Sequence, residues 1–133
     1  MPALSEFNLT IGQRRREENG DIVTFFRFAT VRQFGSFQYG IQIKDHLNQA
    51  SGAIDFRIFG VHAPTNLMPG AGTAFTEIVY SGLSGEYLIT CHGAKQAGTF
   101  RLVVDGDGVR LSQAPGEDGL QVHVEKGIEN VRT

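Results

Sequence analysis

The sequence predicts an all-β fold: one antiparallel two-sheet β-sandwich, jelly-roll-like, built from about eight to nine short strands. Three observations carry that expectation. Apolar and polar residues alternate with period two between clusters of Gly, Asn and Asp, and helical spacing fails almost throughout. The chain holds 17 Gly and 10 Phe with no Trp, combining turn formers with aromatic residues that suit pleated, half-buried surfaces. At 133 residues, 41% hydrophobic and 20% charged, it has the size and composition of a single globular domain. Residues 1–133 therefore read as one unit, with 1–20 forming an N-terminal arm plus the first hairpin strand.

In the first strand Phe7, Leu9 and Ile11 alternate with Asn8 and Thr10, and Arg14 to Glu18 extend it. The stretch "RRREENGD" at 14–21 reads as a hairpin tip, because Asn19-Gly20 supplies the positive φ angles of a two-residue type I′ turn. Side chains on a strand alternate between faces, so the three arginines do not present to one ligand, and Glu17 and Glu18 cancel their charge locally. The second strand, "DIVTFFRFATV", runs from Asp21 to about Val31. Further strands are expected at Phe37 to Lys44, Ala53 to Val61, Ala74 to Ser81, Glu86 to His92, Thr99 to Asp105, Val109 to Ser112 and Leu120 to Glu125. "SGLSGE" and "DGDG" are tight connections, and residues 62–73 ("HAPTNLMPGAGT") are the long Pro/Gly-rich loop on which function often sits. Only "KDHLNQA" at 44–50 has room for a helical turn. In the last strand Leu120, Val122 and Val124 face inward, while Gln121, His123 and Glu125 face out.

The second strand is apolar on both faces, with Ile22, Phe26 and Phe28 on one and Val23, Phe25, Ala29 and Val31 on the other. Monomers seldom leave such a face bare, so it calls for a covering N-terminal segment or a subunit interface. Full burial of one such side chain is worth about 1.5–3 kcal/mol, enough for a few of them to drive association once its entropic cost is met. The expected oligomer or partner interface is Val23, Phe25, Arg27, Phe34, Phe37 and Tyr39.

Charge and motifs argue against most chemistry. A net charge of -2 and a pI near 6.0 provide no positive field for phosphate backbones or acidic membranes, so neither nucleic acid nor membrane is an expected partner. "RFATVRQFGSFQY" interleaves Arg27 and Arg32 with Phe28, Phe34, Phe37 and Tyr39 in the manner of a base-stacking platform. Its Arg32-Gln33-Phe34-Gly35 nears an RNA-recognition consensus, yet Ser36 stands where an aromatic belongs and the helices of that fold are missing, which leaves core or interface packing. Cys91 is the single cysteine, excluding an intrachain disulfide and a multi-cysteine metal site. Its strand neighbour His92 points to the opposite face, which disfavours a thiolate–imidazole pair and favours a buried structural thiol.

His123 and Glu125 share a strand face, but no His-x-His or P-C-x-x-C accompanies them, and His46 and His92 could join only through a tertiary approach. Asp105-Gly106-Asp107-Gly108 lacks the spaced ligands and distal Glu of a calcium loop and reads as a reverse turn. Gly82-Leu83-Ser84-Gly85 misses the nucleophile elbow by one residue, and "PGAGTA" lacks the Lys-Ser/Thr ending of a phosphate loop. No catalytic residue, metal ligand or cofactor is expected, and the chain does not read as an enzyme. The N-terminus has no positive region followed by an apolar run, and no apolar stretch nears the roughly 20 residues of a membrane helix. The expectation is a soluble protein made in the cytoplasm without an export signal, in which case the Asn8-Leu9-Thr10 sequon stays unused.

From Ala53 to Val104 the order "AIDFRIFG", "TEIVYSGLSGEYLITCHG", "AGTFRLVV" resembles the bacterial pre-peptidase C-terminal domain, through Gly85-Glu86-Tyr87 and Gly98-Thr99-Phe100. That resemblance implies a small β-sandwich, of a kind typically found as an exported accessory domain. The residues themselves point to a non-enzymatic structural or interaction protein that self-associates as a small closed homo-oligomer and presents loops to other protein subunits of a larger assembly. A phage capsid decoration (cement) or other virion subunit fits this description. The alternative is an accessory module binding carbohydrate or peptide through Tyr39, Phe59 or Tyr80, with calcium assisting.

Overall fold

The computed structural model describes residues 3–34, 39–62, 72–93, 96–106, 108–116 and 119–130. Within them the alternating segments form nine strands: β1 (Phe7–Arg15), β2 (Ile22–Phe34), β3 (Gly40–Asn48), β4 (Ala53–His62), β5 (Gly72–Ser81), β6 (Gly85–His92), β7 (Ala97–Asp105), β8 (Gly108–Gln113) and β9 (Gln121–Asn130). They make two sheets, ordered β5-β2-β1-β9 and β3-β4-β6-β7-β8. The predicted sandwich is present, with one correction to its pairing: β1 runs parallel to β9 and β4 parallel to β6, so both sheets are mixed rather than antiparallel. The cause is the route of the chain. Successive strands reverse direction, and β4 and β6 become neighbours only after the chain has visited β5 in the facing sheet.

This alternation sorts the connections between two poles. The β1–β2, β3–β4, β5–β6 and β7–β8 turns share one pole. The ends of β2, β4, β6 and β8 and the starts of β3, β5, β7 and β9 lie at the other, the long-connection pole. Of the long loop expected at 62–73, residues 63–71 lie outside the described residues.

The core is aromatic at its centre. Phe26 and Phe28 of β2 meet Phe56 of β4 from the facing sheet, each at a centroid distance of 5.1 Å. Leu9, Ile11, Ile54, Ile58, Ile89, Phe100 and Leu102 complete it, all buried. On β9, Val122 and Val124 pack against this core as the alternation predicts. Leu4, in a single 3₁₀ turn at Leu4–Glu6, is buried in the same cluster at the long-connection pole.

Three local expectations are corrected. Residues 44–50 hold no helical turn, since β3 continues through Asn48 and pairs with β4 throughout. The β1–β2 loop is wider than a two-residue turn, and β1 ends at Arg15 rather than continuing to Glu18. Arg16 N–H donates to the Asp21 carbonyl at 2.8 Å and Gly20 N–H to the Arg16 carbonyl at 2.9 Å, leaving Glu17 to Gly20 as the tip. Gly20 takes the left-handed φ of 74°, while the Asn19 side chain accepts from Asp21 N–H at 3.0 Å, the local bond that suits Asn to turns. Finally, β9 runs past Glu125 to Asn130 through a bulge opposite Gly12, where Gly127 has a φ of 77°.

The seam between edge strands β3 and β5 is closed by side chains. Thr76 Oγ1 accepts Ile41 N–H at 2.9 Å and donates to the Ile41 carbonyl at 2.7 Å, and the Tyr80 hydroxyl donates to Asp45. Thr76→Val keeps the shape and removes both bonds, leaving the Ile41 amide unsatisfied beside the core. The expected loss is about 1–3 kcal/mol in urea unfolding, with Thr76→Ser recovering most of it.

Candidate interaction surface

The outer face of the four-stranded sheet is built around a missing side chain. Gly12 of β1 stands directly opposite Phe25 of β2, and the Phe25 ring fills the space that a side chain on Gly12 would need. A Cβ there would come within 2.6 Å of Phe25 Cζ. Two guanidinium groups roof the ring, Arg14 at 4.7 Å and Arg27 at 5.0 Å from its centroid, in contact with the negative face of the aromatic.

Glu77 of β5 holds both arginines in place. Its carboxylate accepts a two-pronged contact from Arg14, at 2.6 and 3.0 Å, and Nε and Nη2 of Arg27 at 3.1 and 2.9 Å. Arg27 and Glu77 are cross-strand partners, whereas Arg14 reaches from β1 across β2. One clasp thus ties three strands together over Phe25.

Val23 and Phe25 are consequently buried within their own chain, which corrects their assignment to a subunit interface. The apolar outer face of β2 is covered internally, and Arg27 is occupied in that covering. The three consecutive arginines are divided as well: Arg14 enters the clasp, while Arg15 donates to the Gly20 carbonyl at the hairpin tip, 3.1 Å away.

The bond to Arg14, opposed by burial and aided by Arg27, lowers the Glu77 pKa below the ordinary glutamate range. A carboxylate with a depressed folded pKa contributes stability in full above its unfolded pKa and loses it as pH falls toward the folded value. Glu77→Gln is therefore expected to cost about 1 kcal/mol at neutral pH, a modest figure because all three side chains retain some exposure. The difference from wild type should shrink steadily on acidification below the glutamate range, as measured by urea titrations across pH.

The aromatic residues proposed for ligand binding have separate placements. The half-buried Tyr80 ring packs edge-on against Phe26 at 5.8 Å and its hydroxyl faces Asp45, so it is part of the β3–β5 seam rather than an exposed platform. Burial and Asp45 raise its pKa. Tyr39 packs against Phe34 with centroids 5.1 Å apart and ring planes tilted by 43°, and Arg32 lies 5.1 Å above the Phe34 ring; both aromatics are partly buried against the core. Phe37 lies outside the described residues. Phe59 is exposed on the outer face of the five-stranded sheet.

At the long-connection pole three apolar side chains are exposed among the described residues. Val31 is 59% exposed and Phe75, opposite Ala29 on the neighbouring strand, is 43% exposed. Val61, paired with Ile41 at the same end of the facing sheet, is 39% exposed. The Phe34–Tyr39 pair and Arg32 lie at this pole too. So does a cavity of about 330 Å³ bordered by Leu4, Gln96, Phe100, Pro115 and Leu120. Cys91 also lines it, buried, with burial and then Asp55 pushing its thiol up to about 12.

Phe75, Glu77 and Gly12 are the residues that sequence reasoning missed. Outward alternation along "TAFTEIVYS" marks Phe75 and Glu77 as surface positions, but only strand order brings them beside β2. Among the described residues no three His, Cys, Asp or Glu side chains group closely enough to hold a metal ion, and no helix is long and apolar enough to cross a membrane. His123 is exposed on the outer face of β9, and Asp107 of the β7–β8 turn lies outside the described residues. No family model, curated protein or solved structure matches the chain.

Proposed function

We propose that this protein is a non-enzymatic structural subunit, a β-sandwich that associates with copies of itself through its long-connection pole and joins a larger protein assembly, as capsid-decorating or other virion subunits do. The observation that supports this reading is the exposure of Val31, Val61 and Phe75 around one pole, while the apolar outer face of β2 is covered within the chain. Removing the remaining exposed area of each is worth about 1 kcal/mol. A two-fold contact uses every residue twice, and the adjacent Arg32, Phe34 and Tyr39 belong to the residue types that dominate association energies. The cavity at the same pole provides a recess for a partner side chain.

The test is a dilution series of amide spectra on labelled protein. Resonances of residues 31–34, 61–62 and 72–76 should shift with concentration, while those of 22–28 stay fixed. Concentration dependence confined to β8 and β9, or none at all, would remove the proposal.

A further inference from the structure

Lys44 of β3 and Arg57 of β4 stand directly opposite each other on the outer face of the five-stranded sheet, both exposed. Like charges in that position destabilise an antiparallel pair. Neither cation forms an ion pair among the described residues. The nearby carboxylates are engaged elsewhere, Asp45 with the Tyr80 hydroxyl and Asp55 with His92 Nε2 at 3.5 Å. A local conflict without internal compensation is where a functional site is expected.

Phe59 sits two residues beyond Arg57, as the extra residue of the β4 bulge between the Gln42–Gly60 and Ile43–Ile58 pairs, and its ring is 43% exposed. Lys44, Asp45, His46, Asp55, Arg57 and Phe59 border one cavity of about 330 Å³, at the small end of ligand sites and suited to a single ring. On that outer face two cations next to one carboxylate, Asp55, and an aromatic face select a particular chemistry. A phosphate dianion would be repelled by Asp55, and a cation by Lys44 and Arg57. A polyhydroxylated ring carrying one carboxylate satisfies all of them.

We propose that this cavity binds an acidic sugar, a hexuronate, independently of how the protein associates. The sugar carboxylate lies between Lys44 and Arg57, in the charge-assisted geometry that guanidinium groups favour. Sugar hydroxyls donate to the free lone pairs of Asp55, and the aliphatic C–H face of the ring rests on the electron-rich face of Phe59.

The experiment is an amide-shift titration of the full chain with D-glucuronate and D-galacturonate, with D-glucose and inorganic phosphate as comparisons. At least one uronate should shift residues 44–46 and 55–59 saturably, about tenfold more tightly than glucose, the expected worth of one charge-assisted contact. Arg57→Gln and Phe59→Ala, both on the exposed face, should each weaken that binding about tenfold while leaving the remaining spectrum folded. Silence of these residues to both uronates, equal binding of glucose, phosphate binding as tight as the uronate, or unchanged affinity in Arg57→Gln would each overturn the assignment.

Discussion

Phe25→Asp is expected to abolish folding, and Phe25→Ala to lower stability by about 3–5 kcal/mol, a large share of the roughly 5–15 kcal/mol that a domain of this size has available. Alanine would leave a hole that Gly12 has no side chain to fill. Arg14 and Arg27 would also lose the ring that they share while staying tied to Glu77. Aspartate adds an acidic group in a buried position, where its charge competes with Glu77 for the same guanidinium groups and its own desolvation is unfavourable. Circular dichroism during urea titration separates the cases: the alanine variant should unfold cooperatively at a much lower midpoint, and the aspartate variant should show no native baseline. A Phe25→Asp protein with wild-type stability would mean that the ring is not part of the folded interior at all.

Phe56→Ala is the second large effect, expected to cost about 3–5 kcal/mol. Phe56 is the residue of the five-stranded sheet that both Phe26 and Phe28 of the facing sheet contact. Its removal breaks two aromatic pairs, each worth about 0.5–1.5 kcal/mol beyond area, along with the burial itself. Phe56→Leu keeps most of the volume and should cost much less, roughly 1–2 kcal/mol. A similar cost for leucine and alanine would show that ring geometry, rather than filled volume, joins the sheets there.

The strands and their inward faces were legible because period-two alternation is a local property, and "DIVTFFRFATV" or "LQVHVE" display it without reference to other parts of the chain. The parallel pairs were not, because which strands become neighbours depends on connections that pass through the other sheet. At the β1–β2 tip the turn signal marked the right place and the wrong width: Gly20 adopts the left-handed conformation, while the Asn19 side chain is used to bond the backbone of the return strand.

The candidate site divides in the same way. An apolar outer face on β2 was readable from Val23 and Phe25, but its cover comes from Gly12, Arg14 and Glu77, the last of these 50 residues from Arg27 in sequence. Phe34 and Tyr39 were expected at an interaction surface, and they lie at the long-connection pole, partly buried against the core. Phe75 and the facing Lys44–Arg57 pair required register, which a single sequence does not supply.

The most direct measurement is molar mass by light scattering over a dilution series, on wild type and on Phe75→Asp. The account predicts a wild-type oligomer that dissociates on dilution and a Phe75→Asp variant that is monomeric throughout, with the unfolding midpoint of the dilute, dissociated wild type. A wild-type protein that stays monomeric at high concentration, or an oligomer that Phe75→Asp leaves intact, would contradict it.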